Sequence, residues 1–348
     1  VFFMTFCALS SAKGMDIKMK YCKKCILSDD FFSVKIEENG LCNYCNENTA
    51  NSTKIVDMGI KPSGREYDVV LAYSGGKDST YTLYLLRKKY KVNVLAIVFD
   101  NGFLSQETYS NIKNVCANLD VDYEIISPSK KKLNSIFKYA LNDDTLPLKS
   151  LERASSICTY CIALVKMAVY REAILKKVPY IAFGWTPGQI NFGKQIVKLE
   201  PSIIKSNFSM IRKNIIKIFG DDYKSILLTD DVIDNNLESI PALFYPFVDE
   251  KYSEEKIINI ISEIGWKRPV ETDSNSTNCL LNTYAIFKHK EKYGFHPYAL
   301  ELATMVRNGL MKREEAMKRI MQDEDPKIVC WVEKMLEINT HNEEEDKM

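Results

Sequence analysis

The sequence is poor in several features, and each shortage narrows the range of functions. Its 348 residues include only three histidines, and these do not form a spaced metal motif or complete a Ser-His-Asp set: His289, His296 and His341. No run of about 18 or more apolar residues occurs, so we expect no membrane-spanning helix. The net charge is only +1, so the protein as a whole attracts neither nucleic acid nor a membrane surface strongly.

Cysteine, in contrast, is plentiful. Six of the ten cysteines form C-x-x-C pairs, at Cys22/Cys25, Cys42/Cys45 and Cys158/Cys161. A chain of this length does not need a disulfide framework, so the pairs favour metal binding in a reducing compartment. We therefore expect a cytoplasmic protein.

The first residues, VFFMTFCALSSAKG, are apolar and end in small residues, as a secretion signal does. They lack the basic segment that begins such a signal, and a lysine-rich stretch follows at once. The leading valine suggests an alternative start codon, with Met15 or Met19 as the working start.

Composition divides the chain into four regions. We predict a cysteine-rich zinc ribbon, a polar linker containing Pro and Gly, a domain of alternating strands and helices, and a helical C-terminal region, at residues 18–50, 51–65, 66–235 and 236–340 respectively. In the last region we expect helices, including one over 276–294 and one over 296–322.

The alternation after residue 66 predicts βαβ units, hence an α/β fold with a parallel, doubly wound, Rossmann-like α/β/α sheet. Sites in such sheets lie beyond the carboxyl ends of the strands. This rule places three segments along one rim: Ser74–Ser79, Asp100–Phe103 and Gly184–Gln189.

The strongest motif follows the first buried strand and reads Ser74-Gly75-Gly76-Lys77-Asp78-Ser79-Thr80. The Walker spacing fails because no glycine stands at the required upstream position. The strand end, paired glycines and helix start still form an anion site, where Ser74 and Ser79 add hydroxyls and Lys77 adds a charge. A carboxylate beside phosphate is costly without a bridging cation, so Asp78 is predicted to contact Mg²⁺. An ordinary glycine turn, capped by Asp78, is the alternative.

The string SGGKDS resembles the signature of the PP-loop, or N-type, ATP pyrophosphatases. The resemblance implies that residues 74–80 hold the β,γ-pyrophosphate of ATP while a substrate oxygen attacks the α-phosphate. AMP then becomes attached to the substrate, pyrophosphate leaves, and a nitrogen or sulfur nucleophile displaces AMP. The segment FDNGF lies where such proteins contact the nucleotide, which adds Asp100 to the predicted ATP site, and the rim position adds Gly184.

The first four cysteines have the spacing of a structural zinc site. Sixteen residues separate Cys22-x-x-Cys25 from Cys42-x-x-Cys45, which suits a closed tetrahedral site. Free surface thiols are the alternative.

A second set consists of Cys158, Cys161 and the distant Cys279. Cys158 and Cys161 begin a predicted long helix, whose N-terminus favours thiolate. Three thiolates leave one coordination position open, as a reactive cluster or metal requires. The set resembles the tRNA-thiolation branch of the PP-loop proteins, which implies a [4Fe–4S] cluster that carries sulfur. Buried helix residues or a redox-active pair are the alternatives.

The flanks resemble another branch. The N-terminal YCKKCILSDDFFSVKIEENGLCNYC resembles the opening of the N-acetyl sugar amidotransferases, and KYGFHPYALELATMVRNGLMKREEAMKRI resembles their closing helices. The resemblance implies adenylation of a sugar N-acyl oxygen, followed by attack of ammonia from a glutaminase partner. The segment AFGWTPGQINFG departs from that pattern, which leaves the acceptor open. Gln189, Asn191 and Lys194 are predicted to face it.

The sequence thus predicts an enzyme that uses ATP, Mg²⁺ and Zn²⁺, with a [4Fe–4S] cluster if sulfur is the nucleophile. The predicted catalytic residues are Lys77, Asp78, Cys158, Cys161 and Cys279. We expect a sugar-linked small molecule as substrate, a glutaminase or sulfur donor as partner, a homodimer, and no membrane partner. The basic stretches SPSKKK and SNFSMIRKNIIK could contact tRNA phosphates, but solvated faces are favoured. A non-catalytic ATP-binding adapter is a further alternative, against which the pairing of Lys77 with Asp78 argues.

Overall fold

The computed structural model describes residues 19–47, 59–189, 194–250 and 252–338. Three predicted features therefore lie outside the described residues: the start at Met15, residues 51–58 of the linker, and Asn191.

Six strands form one sheet. They are β1 (Val69–Ala72), β2 (Val94–Phe99), β3 (Asp122–Ile126), β4 (Tyr180–Phe183), β5 (Ile196–Val197) and β6 (Ala242–Phe244). The order across the sheet is β3-β2-β1-β4-β6-β5, and every neighbouring pair is parallel except β5 with β6. The predicted parallel, doubly wound α/β class is confirmed, and β1 lies near the centre of the sheet.

The described α-helices are α1 (Asn43–Asn46), α2 (Lys77–Tyr84), α3 (Gln106–Leu119), α4 (Lys130–Leu141), α5 (Leu148–Leu151), α6 (Ser156–Leu175), α7 (Pro201–Phe219), α8 (Asp230–Asp234), α9 (Glu254–Glu263), α10 (Leu281–Tyr293), α11 (Ala299–Arg307), α12 (Arg313–Met321) and α13 (Pro326–Leu336). None of these helices is long and apolar enough to cross a bilayer.

Alternate residues of β1 belong to two separate hydrophobic cores. Val70 and Ala72 belong to the core that includes residues of α4, α6 and α7, whereas Val69 and Leu71 belong to the core that includes α2, α3 and α9. All four residues are buried, because side chains alternate between the faces of a strand and helices cover both faces. Burying each Val or Leu contributes roughly 1.5–3 kcal/mol. The carboxyl end of β1 is therefore a rigid base for the loop that follows it.

The predicted helical C-terminal region is confirmed, and it also contains one short strand. Strand β6 adds its three residues there, directly beside β4. A segment this short carries no measurable hydrophobic period, so the sequence pattern could not distinguish it from the start of a helix.

Two predicted helices also begin or break differently. The helix expected over 276–294 begins at Leu281, because the preceding polar residues form a loop in which Cys279 makes an isolated β-bridge with Leu104. The helix expected over 296–322 is divided into α11 and α12. Gly309, at φ 68°, lies just beyond α11, where a left-handed glycine commonly ends a helix.

The N-terminal four-cysteine unit packs against the C-terminal helices. Phe31 contacts Phe295 with ring centroids 4.3 Å apart, and residues of α11 and α12 complete the same small core. The guanidinium of Arg313 donates to the carbonyls of Cys25 and Cys22 at 2.8 and 3.1 Å. The four-cysteine unit and the C-terminal helices thus stabilise each other.

His289 provides a pH test of this packing. Its ring lies 4.8 Å from Tyr293 and 5.0 Å from Phe295, and neither ring nitrogen has a hydrogen-bond partner among the described residues. Burial lowers the pKa of His289 from 6.5 to about 3. Below the unfolded value the unfolded chain therefore binds a proton that the folded chain does not, so this residue reduces stability as the pH falls.

We predict that His289→Phe makes the free energy of unfolding less sensitive to acid. Between pH 7 and pH 5, the free energy of unfolding of the wild type should fall more steeply than that of the variant. The extra loss should reach up to about 1.4 kcal/mol for each pH unit below the ordinary histidine pKa. Urea unfolding of both proteins at several pH values measures this difference. Parallel pH dependences would show that His289 is not buried as a neutral ring.

Candidate active site

The phosphate loop leaves the carboxyl end of β1 and enters α2 through two glycines. Gly75 has φ 71°, and a Cβ at this position would lie 2.8 Å from Thr108 Cγ2 and 2.9 Å from Ile112 Cγ1. Both the left-handed backbone and the closeness of α3 therefore require glycine here. Gly76 precedes the first residue of α2, so the helix N-terminus faces the space above β1.

Hydroxyl groups hold the loop in shape. Ser74 Oγ lies 3.0 Å from Ser79 Oγ and accepts from the backbone N–H of Gly76 at 3.3 Å. The end of β4 reaches the same turn, since a Cβ on Gly184 would lie 2.6 Å from the backbone nitrogen of Ser79. Glycine at 184 thus allows two strand ends to meet at the start of α2.

Lys77 carries its charge into the cavity above the loop. Its side chain is buried, and its Nζ lies 2.6 Å from Asp78 Oδ1 and 2.7 Å from the hydroxyl of Tyr252. A buried ammonium is stable only with such partners. Burial acts to raise the pKa of nearby Glu254, but the charges of Lys77 and Arg319 outweigh it and hold that pKa below its ordinary value.

Glu301, from α11, adds a further carboxyl group to the cavity. Burial raises the pKa of Glu301 to about 7, and the charge of Asp78 acts in the same direction. Its Oε1 accepts from the hydroxyl of Thr186 at 3.2 Å. Its raised pKa distinguishes this carboxyl group from that of Glu254, whose pKa is held below the ordinary value.

A C-terminal segment closes over the phosphate loop. The backbone N–H of Lys77 donates to Thr277 Oγ1 at 2.9 Å, and the indole N–H of Trp266 donates to the carbonyl of Gly75 at 3.0 Å. The carbonyl of Asn278 accepts from the N–H of Ser105 at 3.1 Å. The sequence analysis missed these residues, although the polar run DSNSTN inside an apolar helical region was a signal for a specialised loop.

The same segment brings Cys279 to the other two predicted thiols. Asn101 Nδ2 contacts Cys161 Sγ at 3.5 Å and Cys279 Sγ at 3.2 Å. Cys158 lies in the first turn of α6, where its N–H donates to the capping Ser155 Oγ at 3.1 Å. Cys161 and Cys279 thus share one amide donor, and all three cysteines line the same cavity beside the N-terminus of α6.

The charge state of these thiols depends on their surroundings. Burial raises the pKa of Cys158 to about 12, and burial also raises the pKa of Cys161 and Cys279. The nearby Cys279 raises the pKa of Cys158 and of Cys161 further. The thiols are thus neutral by themselves, and a bound cation or cluster would be needed to hold all three as thiolates.

These groups surround one cavity of about 330 Å³. Its lining includes nine of the predicted site residues, namely Ser74, Gly76, Lys77, Asp78, Ser79, Gly184, Cys158, Cys161 and Cys279. Gln189 also lines it.

Other predicted residues lie outside the lining. Thr80 is fully buried against the hydroxyl of Tyr73, and Gly75 packs beneath the loop. Asp100 accepts from the N–H of Gly102 at 2.8 Å, while its neighbour Asn101 lines the cavity instead. Lys194 is exposed and is absent from the lining.

Several buried polar atoms in the cavity wall have no hydrogen-bond partner among the residues that the structure describes. They are Ser274 Oγ, both amide atoms of Asn275, and Asn282 Nδ2. Buried polar groups are nearly always hydrogen-bonded, so these atoms fit a polar ligand that satisfies them. A nucleotide above the phosphate loop is such a ligand.

The first four cysteines form a separate site. Their sulfurs all lie within 4.8 Å of one another, and Cys25 Sγ lies 3.6 Å from Cys42 Sγ. A tetrahedral ion with metal–sulfur distances of about 2.3 Å would place its ligands about 3.8 Å apart. Among the residues that the structure describes, no other set of three or more Cys, His, Asp or Glu side chains brings its ligand atoms this close together. These four residues can hold one metal ion.

A parallel strand, the SGGKDS turn and a helix N-terminus thus form a nucleotide site of the ATP pyrophosphatase type. The chain is similar here to the PP-loop ATP pyrophosphatases. The family model described as queuosine biosynthesis protein QueC matches residues 68–163, which include the phosphate loop and the pair Cys158 and Cys161.

Two curated proteins show sequence similarity. An uncharacterized protein of Methanocaldococcus jannaschii is 28% identical over 268 residues, which cover 77% of this chain and 77% of that protein. The glutamine-hydrolyzing GMP synthase of Blochmanniella pennsylvanica is 38% identical over 88 residues, but these cover only 24% of this chain and 16% of the synthase.

Solved structures are more distant. The U34-tRNA thiolase NcsA from Methanococcus maripaludis, solved with its [4Fe–4S] cluster, has 16% identity and a TM-score of 0.36, covering 91% of this chain and 97% of the thiolase. The ammonia-dependent NAD synthetase from Campylobacter jejuni has 19% identity and a TM-score of 0.27, covering 57% and 84%. Likenesses at these scores establish neither a shared activity nor a shared ligand.

Proposed function

We propose that this enzyme uses ATP to activate a carbonyl oxygen of an acceptor. The oxygen attacks the α-phosphorus, the α–β bond breaks, AMP becomes attached to the acceptor, and pyrophosphate leaves. The observation that carries this proposal is that the SGGKDS loop and the unpartnered polar atoms of Ser274 and Asn275 line one cavity beyond the carboxyl ends of the strands.

The residues of the loop supply the charge that this reaction requires. The N-terminus of α2 and the ammonium of Lys77 face the position where negative charge builds up on the leaving pyrophosphate. Asp78 would hold Mg²⁺, which neutralises phosphate charge and orients the phosphates when it is bound. The hydroxyl of Tyr252 contacts both Lys77 and Asp78, at 2.7 and 3.2 Å, and so positions the two charged groups.

For the second step we propose that ammonia displaces AMP from the activated carbon. The flanking likeness to the N-acetyl sugar amidotransferases supports an N-acetyl sugar of surface-polysaccharide biosynthesis as acceptor. The 88-residue similarity to a glutamine-hydrolyzing synthase supports ammonia as the nucleophile and a glutaminase as its source. Cytoplasmic location, a homodimer and the domain limits stated above belong to this proposal as predictions.

Lys77→Ala should abolish pyrophosphate release, because a methyl group cannot offset the charge of the leaving group. A loss of at least a hundredfold corresponds to about 2.7 kcal/mol, typical of one electrostatic group in an active site. Pyrophosphate is measured with ATP, Mg²⁺, ammonium and a mixture of N-acetyl sugars and their nucleotide-linked forms. Lys88→Ala, at an exposed position of the same helical segment, is the matched control and should retain full release. Equal release by both variants would contradict the assignment of the loop.

A second candidate is sulfur transfer, which shares the adenylation step. Cys158, Cys161 and Cys279 all line the cavity of about 330 Å³ above the phosphate loop, which we call the ATP cavity, and this placement favours sulfur transfer. A [4Fe–4S] cluster on these three thiolates would supply a sulfur-carrying iron with an open position. The amide of Asn101, which contacts two of the sulfurs, would tune such a cluster through its hydrogen bonds.

Anaerobic reconstitution with iron and sulfide separates the two candidates. If sulfur transfer is correct, the protein becomes brown with absorbance near roughly 400 nm, and Cys279→Ser loses most of that absorbance. Cys330→Ser, which lies outside both cysteine sets, should leave it unchanged. A colourless, iron-free protein that still forms AMP and pyrophosphate with ammonia would exclude the cluster and support amidation.

We also propose that the metal at the four N-terminal cysteines is zinc and that it is structural, because four thiolates leave no open coordination position. Purified protein should contain about one zinc ion per chain by elemental analysis. Cys42→Ser should lower the zinc content and the melting temperature together, whereas Cys330→Ser should change neither. Wild-type protein without zinc would contradict this assignment.

A further inference from the structure

A second cavity of about 590 Å³ adjoins the ATP cavity. Helices α6 and α7 supply much of its lining, which is mainly apolar and includes Ile204, Phe208 and Ile211 of α7. Its volume lies within the range of roughly 300–1,000 Å³ that is usual for small-molecule sites. The phosphate-loop residues do not line it.

The two cavities share a wall. Lys166, Trp185, Asn282 and Glu301 each line both. A group bound at this shared wall therefore lies next to the ATP cavity while the rest of the molecule occupies the second cavity.

Lys166 makes no ion pair with an acidic side chain among the described residues. Its Nζ lies 4.7 Å from the ring centre of Trp185, and no hydrogen bond or ion pair to it occurs among the described residues. Burial lowers its pKa. Trp185 is itself fixed by stacking on Phe183, with centroids 4.4 Å apart and planes at 9°. The aromatic ring thus positions the ammonium without neutralising it, and leaves it able to bind an anion.

Asn282 provides a second donor at the same wall. The residue is 3% exposed, and its Oδ1 accepts from the hydroxyl of Tyr298 at 2.9 Å. Its Nδ2 has no partner among the described residues. Leaving a buried donor unpaired costs about 1–3 kcal/mol, which a bound oxygen would offset.

The remaining ionisable side chains of the second cavity favour the same class of ligand. Besides Lys166, the basic and carboxylic side chains in its lining are Arg153, at an exposed position, and Glu301, whose pKa burial raises to about 7. Cations therefore predominate in a cavity that is otherwise mainly apolar.

We propose that the second cavity holds the acceptor, and that the acceptor is a small anionic molecule, a sugar bearing a phosphate or a carboxylate. Its anionic group pairs with Lys166 and the amide of Asn282, its body packs against α7, and its reacting oxygen reaches the ATP cavity across the shared wall. Naming this ligand the acceptor rests on the proposed function, whereas its binding does not depend on catalysis.

Binding is measured by tryptophan fluorescence and calorimetry with three related probes. These are N-acetylglucosamine, N-acetylglucosamine 1-phosphate and N-acetylneuraminic acid, so that the neutral sugar, the phosphate and the carboxylate are compared. At least one anionic probe should bind tenfold or more tightly than the neutral sugar, and the better of the two identifies the anionic group. Equal affinities, or no binding by any probe, would overturn the proposal.

Variants locate the site. Lys166→Met should weaken the anionic probe at least tenfold, and far more than it weakens ATP, and Lys166→Arg should retain the probe. Lys88→Met is the matched control, and circular dichroism checks that each variant is folded. Loss of ATP binding in Lys166→Met, or unchanged probe binding, would contradict the assignment. The assignment would also be contradicted if no anionic sugar bound and the protein instead bound total tRNA in a way that Lys166→Met abolished. Protein that binds the probe but never releases pyrophosphate would contradict the proposed function and leave this site intact.

Discussion

The hydrogen bond from the N–H of Lys77 to Thr277 Oγ1 joins two parts of the active site that are 200 residues apart in sequence. With the bond from Trp266 to the carbonyl of Gly75, it fixes both sides of the phosphate loop to the C-terminal region. Each such bond contributes only about 1 kcal/mol of net stability, but breaking one leaves a buried polar group unpaired. The phosphate loop is therefore fixed on both sides only when the C-terminal segment is in place. The same segment brings Cys279 to the cavity, so the proposed ATP site and the thiol set share one structural support.

Much of this architecture was accessible from the sequence because its signals are local. The buried strand before Ser74, the paired glycines and the four cysteines at metal spacing each involve a few adjacent residues, and the parallel sheet follows from the alternation of strands and helices. The contacts of Trp266 and Thr277 were not accessible, since nothing near them in sequence indicates the loop on which they close. Strand β6 was missed because three residues carry no period, and the second cavity because its walls come from segments far apart in the chain.

The two cavities differ in the charge and polarity of their linings, so they suit two different ligands. The first contains the ionised groups that contact one another, Lys77 with Asp78 and Glu254 with Arg319, which suits a ligand carrying both phosphate and a divalent cation. The second is mainly apolar and contains a cation held over an aromatic ring. Cys158 and Glu301 line both cavities. If the nucleotide binds in the first cavity and the acceptor in the second, as we propose, the reacting oxygen can approach the α-phosphorus across the shared wall.

The central claim is that this phosphate loop serves cleavage between the α- and β-phosphates of ATP. The most direct test is phosphorus NMR of the products after incubation of the purified protein with ATP, Mg²⁺, ammonium and a small-molecule cell extract. The account predicts AMP and pyrophosphate in equal amounts. ADP and inorganic phosphate as the protein-dependent products would contradict it.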